Sequence, residues 1–179
     1  GLFNLLVNGT PVRSNAGDGD GGTRTGVDVG SQVTVSETAG SGTSLANYAT
    51  SLQCTGATPD GEGTFTMPDA DVSCTFTNTR NAYTVTLNKA LSPSDDPGLF
   101  DLQINGQTVA NDVGNGGSGN AIVTGGTAVT LRELAGPGTL LSTYNTQLSC
   151  TGVEESGTNP GGFTMPDNDV TCTYSNTRI

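Results

Sequence analysis

The chain contains a single lysine, Lys89, and it lies in the segment YTVTLNKALS, where apolar and polar side chains alternate. In a β-strand, residues two apart point to the same face, so Lys89 shares its face with Val85, Leu87 and Leu91. The pattern therefore predicts that the only primary amine on a side chain points into an apolar interior.

Two further polar side chains fall on apolar faces by the same alternation. Glu133 shares a face with Leu131, and Asn176 shares one with Tyr174. The first half of the sequence repeats both features at Glu37 and Asn78. A buried, isolated charge costs several kcal/mol unless it is paired or neutralised, so we expect the lysine, glutamate and asparagine to meet.

These three residue types can form an amide crosslink. Burial lowers the pKa of a lysine and raises that of a carboxyl group, which makes both neutral forms accessible near neutral pH. A neutral amine is a nucleophile, and a carboxylic acid can polarise an amide so that the amine attacks and ammonia leaves. The fold would supply the effective concentration of an intramolecular reaction.

Two other arrangements use the same residues. Lys89 can extend to solvent from a strand end, with Glu133 paired to it and Asn176 capping a turn. A buried, unreacted ion pair between Lys89 and Glu133 is the third possibility.

The sequence consists of two copies of one pattern. GLFNLLVNG at Gly1 returns as GLFDLQING at Gly98, with a period of about 97 residues. Short segments rich in Thr and Val, separated by clusters such as NAGDGDGG and NDVGNGGSGN, predict β-strands, and helical periodicity is absent. The sequence thus predicts an all-β protein of two tandem β-sandwich domains, residues 1–80 and 81–179. The predicted strands are Phe3–Val7, Gln32–Glu37, Leu52–Thr55 and Val72–Asn78, with counterparts Phe100–Ile104, Ala128–Glu133, Leu148–Thr151 and Val170–Asn176.

The two copies differ at their start. YTVTLNKALSPSDDP precedes GLF in the second copy, whereas the first copy begins at GLF. We therefore expect the first domain to lack its opening strand, and a linker from Thr79 to Ala82 to lead into the second. A lysine-bearing strand would then complete the site of Glu37 and Asn78. Another chain or upstream residues would supply it through strand addition.

Composition argues against several classes of function. Acidic residues outnumber basic ones by 17 to 6, so the surface is expected to repel nucleic acid and anionic membranes. The chain has no histidine and no CxxC spacing, which disfavours zinc sites and histidine-based triads. The DGDGG segment at Asp18 lacks the other ligands of a calcium loop, so no metal or cofactor is expected.

The cysteines predict two disulfides. Cys54 and Cys74 recur as Cys150 and Cys172, one on each of two neighbouring predicted strands. Pairing within each domain is the expected connectivity, and four buried free thiols are the alternative. The even cysteine count and low charge favour a secreted or cell-surface protein. The single N-glycosylation sequon begins at Asn8, and O-glycosylation of exposed threonines stays open.

Three segments carry a resemblance to a known family: TVTLNKAL with Lys89, VTLRELAGPGTLLSTY with Glu133, and VTCTYSNT with Asn176. They resemble the immunoglobulin-like, prealbumin-like domains of bacterial surface proteins, including the Cna B-type and SpaA-type modules of adhesins and pilins. The resemblance covers nearly the whole chain, twice. It implies that Lys89 and Asn176 form an isopeptide bond promoted by Glu133, with Glu37 and Asn78 in the equivalent positions of the first domain.

Two features depart from that family. The proline after the glutamate turn is Pro137 in the second copy but Ser41 in the first. Paired cysteines are not a feature of the best-known isopeptide-forming domains, but they resemble those of a related prealbumin-like subgroup that has one cysteine in each of the last two strands.

The sequence as a whole predicts a structural repeat of an extracellular stalk, pilus or filament. Its only catalysis would be its own crosslinking, and its partners would be further copies of itself in a homopolymer, or adjacent domains. The alternative is a ligand-binding or carbohydrate-binding adhesive module. Such a module would expose aromatic residues on one face. Here, strand alternation predicts that most of the four Tyr and five Phe point into the core.

Overall fold

The computed structural model describes all 179 residues, and its regular secondary structure is almost wholly β-strand. The only helices are two single 3-10 turns, Leu45–Asn47 and Leu141–Thr143, and neither has the length or apolar character to cross a membrane. The chain divides into two compact units, Gly1–Arg80 and Asn81–Ile179. The prediction of an all-β fold with tandem sandwich domains is confirmed.

The first unit has one four-stranded and one two-stranded sheet. Its strands are β1 (Phe3–Val7), β2 (Thr10–Ala16), β3 (Gln32–Ala39), β4 (Tyr48–Thr55), β5 (Thr64–Thr66) and β6 (Ser73–Arg80). The larger sheet has the order β2-β1-β3-β5, and β4 pairs with β6 in the smaller one. No strand covers the second edge of β6, so the predicted lack of an opening strand is confirmed.

The second unit has two four-stranded sheets. Its strands are β7 (Ala82–Ser92), β8 (Phe100–Ile104), β9 (Gln107–Val113), β10 (Ser118–Thr124), β11 (Ala128–Ala135), β12 (Tyr144–Cys150), β13 (Gly161–Thr164) and β14 (Val170–Arg178). The sheet orders are β10-β7-β14-β12 and β13-β11-β8-β9. All pairs are antiparallel except β7 and β14, which run parallel as the first and last strands of the unit.

The core of the second unit follows the two-residue alternation of its strands. Val85 and Leu87 on β7 have no exposed surface, and they pack with Leu131 on β11 and Tyr174 on β14. Each strand of the two inner faces contributes every second side chain to this layer. The alternation that buries these residues also determines which way the polar residues among them point.

Both predicted disulfides are present. Cys54–Cys74 joins β4 to β6, and Cys150–Cys172 joins β12 to β14, each across directly paired residues. No cysteine is free. Each bridge therefore ties the last strand of its unit to the neighbouring strand.

Two of the three asparagine-glycine pairs form tight hairpin turns. Asn8 and Gly9 have φ of 50° and 73°, and Asn105 and Gly106 repeat this conformation. Such left-handed pairs are favoured by asparagine followed by glycine. The Asn8 side-chain oxygen accepts a hydrogen bond of 2.8 Å from the Thr34 amide, so the sequon residue also has a structural role.

The predicted strands are all present, with ends that differ by a few residues, but the chain contains more strands than were predicted. The segments NAGDGDGG and NDVGNGGSGN were expected to separate strands, yet β2 ends inside the first, while the second holds the end of β9 and the start of β10. Bulges with positive φ at Asn15 and Asp112 interrupt the alternation, so a period-two reading misses β2 and β9. The expected linker is also shorter, because Asn81 alone separates β6 from β7.

Candidate crosslinking site

Three strands of the second unit direct a lysine, an asparagine and a glutamate into one buried volume. Lys89 on β7 and Asn176 on β14 lie on adjacent parallel strands, in a register that pairs Tyr174 with Lys89. Glu133 lies on β11, in the facing sheet. Their exposed fractions are 2% for Lys89, 0% for Glu133 and 1% for Asn176. The structure thus brings together the three residues that the sequence places on apolar faces, and Lys89 does not extend to solvent.

The carboxyl group of Glu133 bridges the other two side chains. Its Oε2 lies 3.0 Å from Lys89 Nζ, and its Oε1 accepts a hydrogen bond of 2.7 Å from Asn176 Nδ2. The amine and the amide that would react are therefore held by the two oxygens of one carboxyl group.

The Lys89 ammonium has polar partners in every direction its protons can take. Besides Glu133, Nζ donates to the carbonyl oxygens of Tyr174 at 3.1 Å and Ala90 at 3.2 Å. It also lies 4.5 Å from the centre of the Phe100 ring, at the distance of a cation–π contact. Burial lowers the pKa of Lys89, and the opposing charge and hydrogen bond of Glu133 counteract that shift.

The carbonyl oxygen of Asn176 is buried without a hydrogen-bond partner. An unsatisfied buried acceptor costs about 1–3 kcal/mol. A protonated Glu133 would provide the missing donor once the Asn176 amide turned its oxygen toward the carboxyl group. After that turn, donation from the acid to Oδ1 would polarise the amide carbon for attack.

The arrangement can perform amide exchange. A proton passes from Lys89 to Glu133, which gives a neutral amine and a carboxylic acid. Nζ then attacks Cγ of Asn176, the new C–N bond forms, the bond from Cγ to Nδ2 breaks, and Nδ2 leaves as ammonia after protonation. The proton that Lys89 first gave to Glu133 departs with the ammonia as ammonium, which returns the carboxyl group to its starting state, so Glu133 acts as a catalyst within its own chain.

Two supporting features escaped the sequence analysis. Phe100 is the last residue of the repeated GLF motif and has no exposed surface, and its ring contacts Tyr144 edge to face at 5.3 Å. Asn159 holds the backbone of Glu133, because its Oδ1 accepts from the Glu133 amide and its Nδ2 donates to the Glu133 carbonyl. The repetition of GLF was the available signal for Phe100, whereas nothing in the loop sequence singles out Asn159.

A polar group ties down the loop that follows β7. The Tyr144 hydroxyl donates to Asp96 at 2.5 Å and accepts from Arg178 at 2.5 Å. Asp96 also accepts from the amide of Gly98. The end of the lysine strand is thereby fixed to the end of the asparagine strand.

The first unit contains the glutamate and asparagine without a lysine. Asn78 Nδ2 donates to both carboxyl oxygens of Glu37, at 2.9 Å and 2.8 Å. The Asn78 carbonyl oxygen accepts a 2.6 Å hydrogen bond from the Thr50 hydroxyl, a donor that Asn176 lacks. Both side chains are half-buried, since no strand covers them.

Stability of the first unit should depend on the protonation of Glu37. Burial raises the pKa of Glu37 above its ordinary value of 4.5, against the effect of the Asn78 hydrogen bond. The folded unit then retains a proton that the unfolded chain releases, so this contribution is complete below pH 4.5 and is lost as pH rises through the raised pKa. We expect Glu37→Gln to remove this pH-dependent part of the free energy of unfolding. Urea titrations from about pH 4 to 7 measure it, with unfolding of the first unit monitored by amide exchange in β6. Identical pH dependence in both proteins would contradict it.

The DGDGG loop, which was compared with a calcium loop above, is held in place by contacts of Asp20. Asp20 lies 3.1 Å from Arg13 and accepts a hydrogen bond from the Gly17 amide. These contacts close the turn at the DGDGG segment.

Comparison with protein families gave a match to a model described as a prealbumin-like fold domain. The matched residues are 8–80 and 84–178, so each unit matches once. A search of curated protein sequences found no significant match.

Three solved structures illustrate the similarity. One is a bacterial adhesin from Mobiluncus mulieris that contains intramolecular disulfide, isopeptide and ester bond crosslinks; identity is 13%, coverage is 83% of this chain and 59% of that chain, and the TM-score is 0.44. The other two are major pilins from Streptococcus pyogenes, an N168A mutant and the T-13 protein. Both are 12% identical with a TM-score of 0.38, and they cover 98% and 99% of this chain and 90% and 88% of their own. This chain thus spans 59% of the length of the adhesin chain.

Proposed function

This chain belongs to the prealbumin-like fold family, and from that premise we propose that it is a structural repeat of an extracellular stalk, pilus or filament. Its second unit is closed by an isopeptide bond between Lys89 and Asn176, which Glu133 promotes. The disulfides strengthen each unit further. Its partners are neighbouring domains or further copies of itself, and it acts on no external substrate.

The observation that carries the proposal is the contact of one buried carboxyl group with both reactants. The lysine and asparagine stand near the two ends of the unit in sequence, on its first and last strands. A covalent bond between them closes nearly the whole unit into one loop. Such closure suits a protein that transmits tension along its chain.

The disulfides and the surface charge fit an extracellular setting. Disulfides persist in oxidising compartments and are rare in reducing ones. The excess of acidic over basic residues keeps polyanions away from the surface. A structural protein, unlike an enzyme, also needs no pocket in which titratable groups surround an external substrate.

Intact mass spectrometry under reducing conditions tests the bond. We expect the chain to weigh one ammonia less than its reduced sequence mass, because the reaction releases Asn176 Nδ2. Glu133→Gln keeps both reactants and the size of the side chain but removes the proton acceptor, so its mass should stay at the full value, or decrease far more slowly. Asn176→Ala should also keep the full mass.

An unshifted mass for the unsubstituted chain would leave Lys89 and Glu133 as an unreacted ion pair. Peptide mapping gives an independent result, since the bond joins a Lys89 peptide to an Asn176 peptide. Loss of ammonia from any other residue would contradict the proposed site.

A further inference from the structure

A threonine lies directly opposite the asparagine of the crosslinking site, on the neighbouring strand. The register of β12 beside β14 pairs Thr146 with Asn176. Directly opposed residues of two antiparallel strands have their side chains on the same face of the sheet, with Cβ atoms about 4.5–5.5 Å apart. Since Asn176 points into the interior, the half-buried Thr146 side chain points there too.

The alternation along β12 agrees with this direction. Tyr144 is 6% exposed and its ring contacts Phe100, while Leu148 packs against the core. Thr146 is two residues from both Tyr144 and Leu148, so it shares their inward face. It thereby brings a hydroxyl group to the interior beside the crosslinking site.

The first unit shows what a threonine at this position does. The segments YATSLQC and YNTQLSC place Thr50 and Thr146 at the same distance from a tyrosine, and Thr50 pairs with Asn78 in the register of β4 and β6. The Thr50 hydroxyl donates to Asn78 Oδ1 at 2.6 Å, while Asn78 Nδ2 donates to Glu37. A threonine opposite the asparagine therefore reaches its carbonyl oxygen while the amide nitrogen stays on the carboxyl group.

The unreacted second unit lacks this hydrogen bond. Asn176 Oδ1 is buried without a partner, whereas Nδ2 donates to Glu133. A bond that forms only as the reaction proceeds lowers the barrier, because a bond of equal strength in the starting state would stabilise both states alike. Oδ1 is thus free to gain a hydrogen bond in the transition state.

We propose that the Thr146 hydroxyl is the oxyanion donor of the crosslinking reaction, an inference that rests on the proposed isopeptide bond. When Lys89 Nζ attacks Cγ of Asn176, the carbonyl electron pair moves onto Oδ1. The Thr146 hydroxyl then donates a hydrogen bond to the negative charge on that oxygen. The threonine keeps its proton, and the electron pair returns to the carbonyl bond as ammonia leaves.

This role gives each end of the Asn176 amide its own partner. Nδ2 must gain protons in order to leave as ammonia, and Oε1 of Glu133 already lies 2.7 Å from it. With Thr146 on Oδ1, the amide need not turn its oxygen toward the carboxyl group. In the turned amide, Glu133 would serve Oδ1 instead, and the Thr146 hydroxyl would be dispensable. The two routes therefore differ in what loss of that hydroxyl does.

The rate of bond formation in Thr146 variants tests the proposal. The full chain is made by cell-free synthesis under oxidising conditions, and samples are quenched in denaturant at intervals. Intact mass spectrometry after reduction measures the fraction that has lost one ammonia, and peptide mapping identifies the joined peptides. Thr146→Val keeps the shape of the side chain without the hydroxyl, so the reaction should slow about a hundredfold. Thr146→Ser restores the hydroxyl and should react at close to the unsubstituted rate.

Two controls separate catalysis from folding. Thr50→Val removes the equivalent hydroxyl from the first unit and should leave the rate unchanged. In a Lys89→Met background, where no bond can form, Thr146→Val should not lower the urea concentration at which the second unit unfolds. Slow bonding would then not result from a weaker fold.

Three results would overturn the inference. Equal rates for the unsubstituted chain and Thr146→Val would do so and leave the bond in place, with the turned amide as its route. A serine variant as slow as the valine variant would show that the methyl group matters and not the hydroxyl. No ammonia loss from the unsubstituted chain would overturn the proposed bond together with this inference, and the unsubstituted chain alone distinguishes that case.

Discussion

Pulled from its two ends, the second unit should extend hardly at all, whereas its Lys89→Met variant should lengthen by up to about 300 Å in the presence of reductant. The proposed bond from Lys89 to Asn176 would enclose residues 90–175, and each residue released contributes about 3.5 Å of contour length. Force would pass along the start of β7, cross the bond, and leave through the last residues of β14. Single-molecule force spectroscopy of the full chain measures this difference directly.

The first unit provides an internal control for that experiment. It has no lysine, so its unfolding step should appear in both proteins with the same length. Glu133→Gln should give the long extension with Lys89 still present, which separates the bond from the side chain. A long step in the unsubstituted protein would show that no bond crosses the unit.

Removal of the bond should also lower the free energy of unfolding of the second unit by about 4–5 kcal/mol. That is the chain-entropy value for a crosslink that closes nearly ninety residues. Lys89→Met alone adds a second cost, because it leaves the buried carboxyl group of Glu133 without the nitrogen that it contacts. Urea denaturation of the Lys89→Met variant should therefore show a loss of about 4 kcal/mol or more.

A double variant separates the crosslink from an ion pair. Lys89→Met with Glu133→Gln removes both charges and fills similar volume. Replacing a merely ionic buried pair in this way is often neutral or stabilising. Losing a covalent bond still costs the loop entropy, so the double variant should remain about 4 kcal/mol less stable. Equal stability of the double variant and the unsubstituted chain would contradict the crosslink.

Alternation along single strands was enough to predict which polar residues are buried. Lys89, Glu133 and Asn176 each follow apolar residues at two-residue spacing, and a strand's pleat converts that spacing into a shared face. The repeated motifs likewise predicted two domains of one kind, and the paired cysteines predicted the disulfides. These are local properties, or properties of a pattern compared with its own copy, and they need no knowledge of which strands are neighbours.

Strand alternation did not predict the bulged strands or the loop residue that supports Glu133. Strands β2 and β9 carry residues at positive φ that shift the alternation by one position. Asn159 supports Glu133 from a loop with no periodic signal. Each depends on hydrogen bonds to a distant part of the chain.

The sequence by itself determined the faces on which the lysine, the glutamate and the asparagine lie, because side-chain direction is a property of one strand. Only the tertiary structure decided that they meet, since this depends on the parallel pairing of β7 with β14 and on the packing of β11 across from them. The same holds for the first unit, where Glu37 on β3 and Asn78 on β6 belong to different sheets and meet only because those sheets pack together.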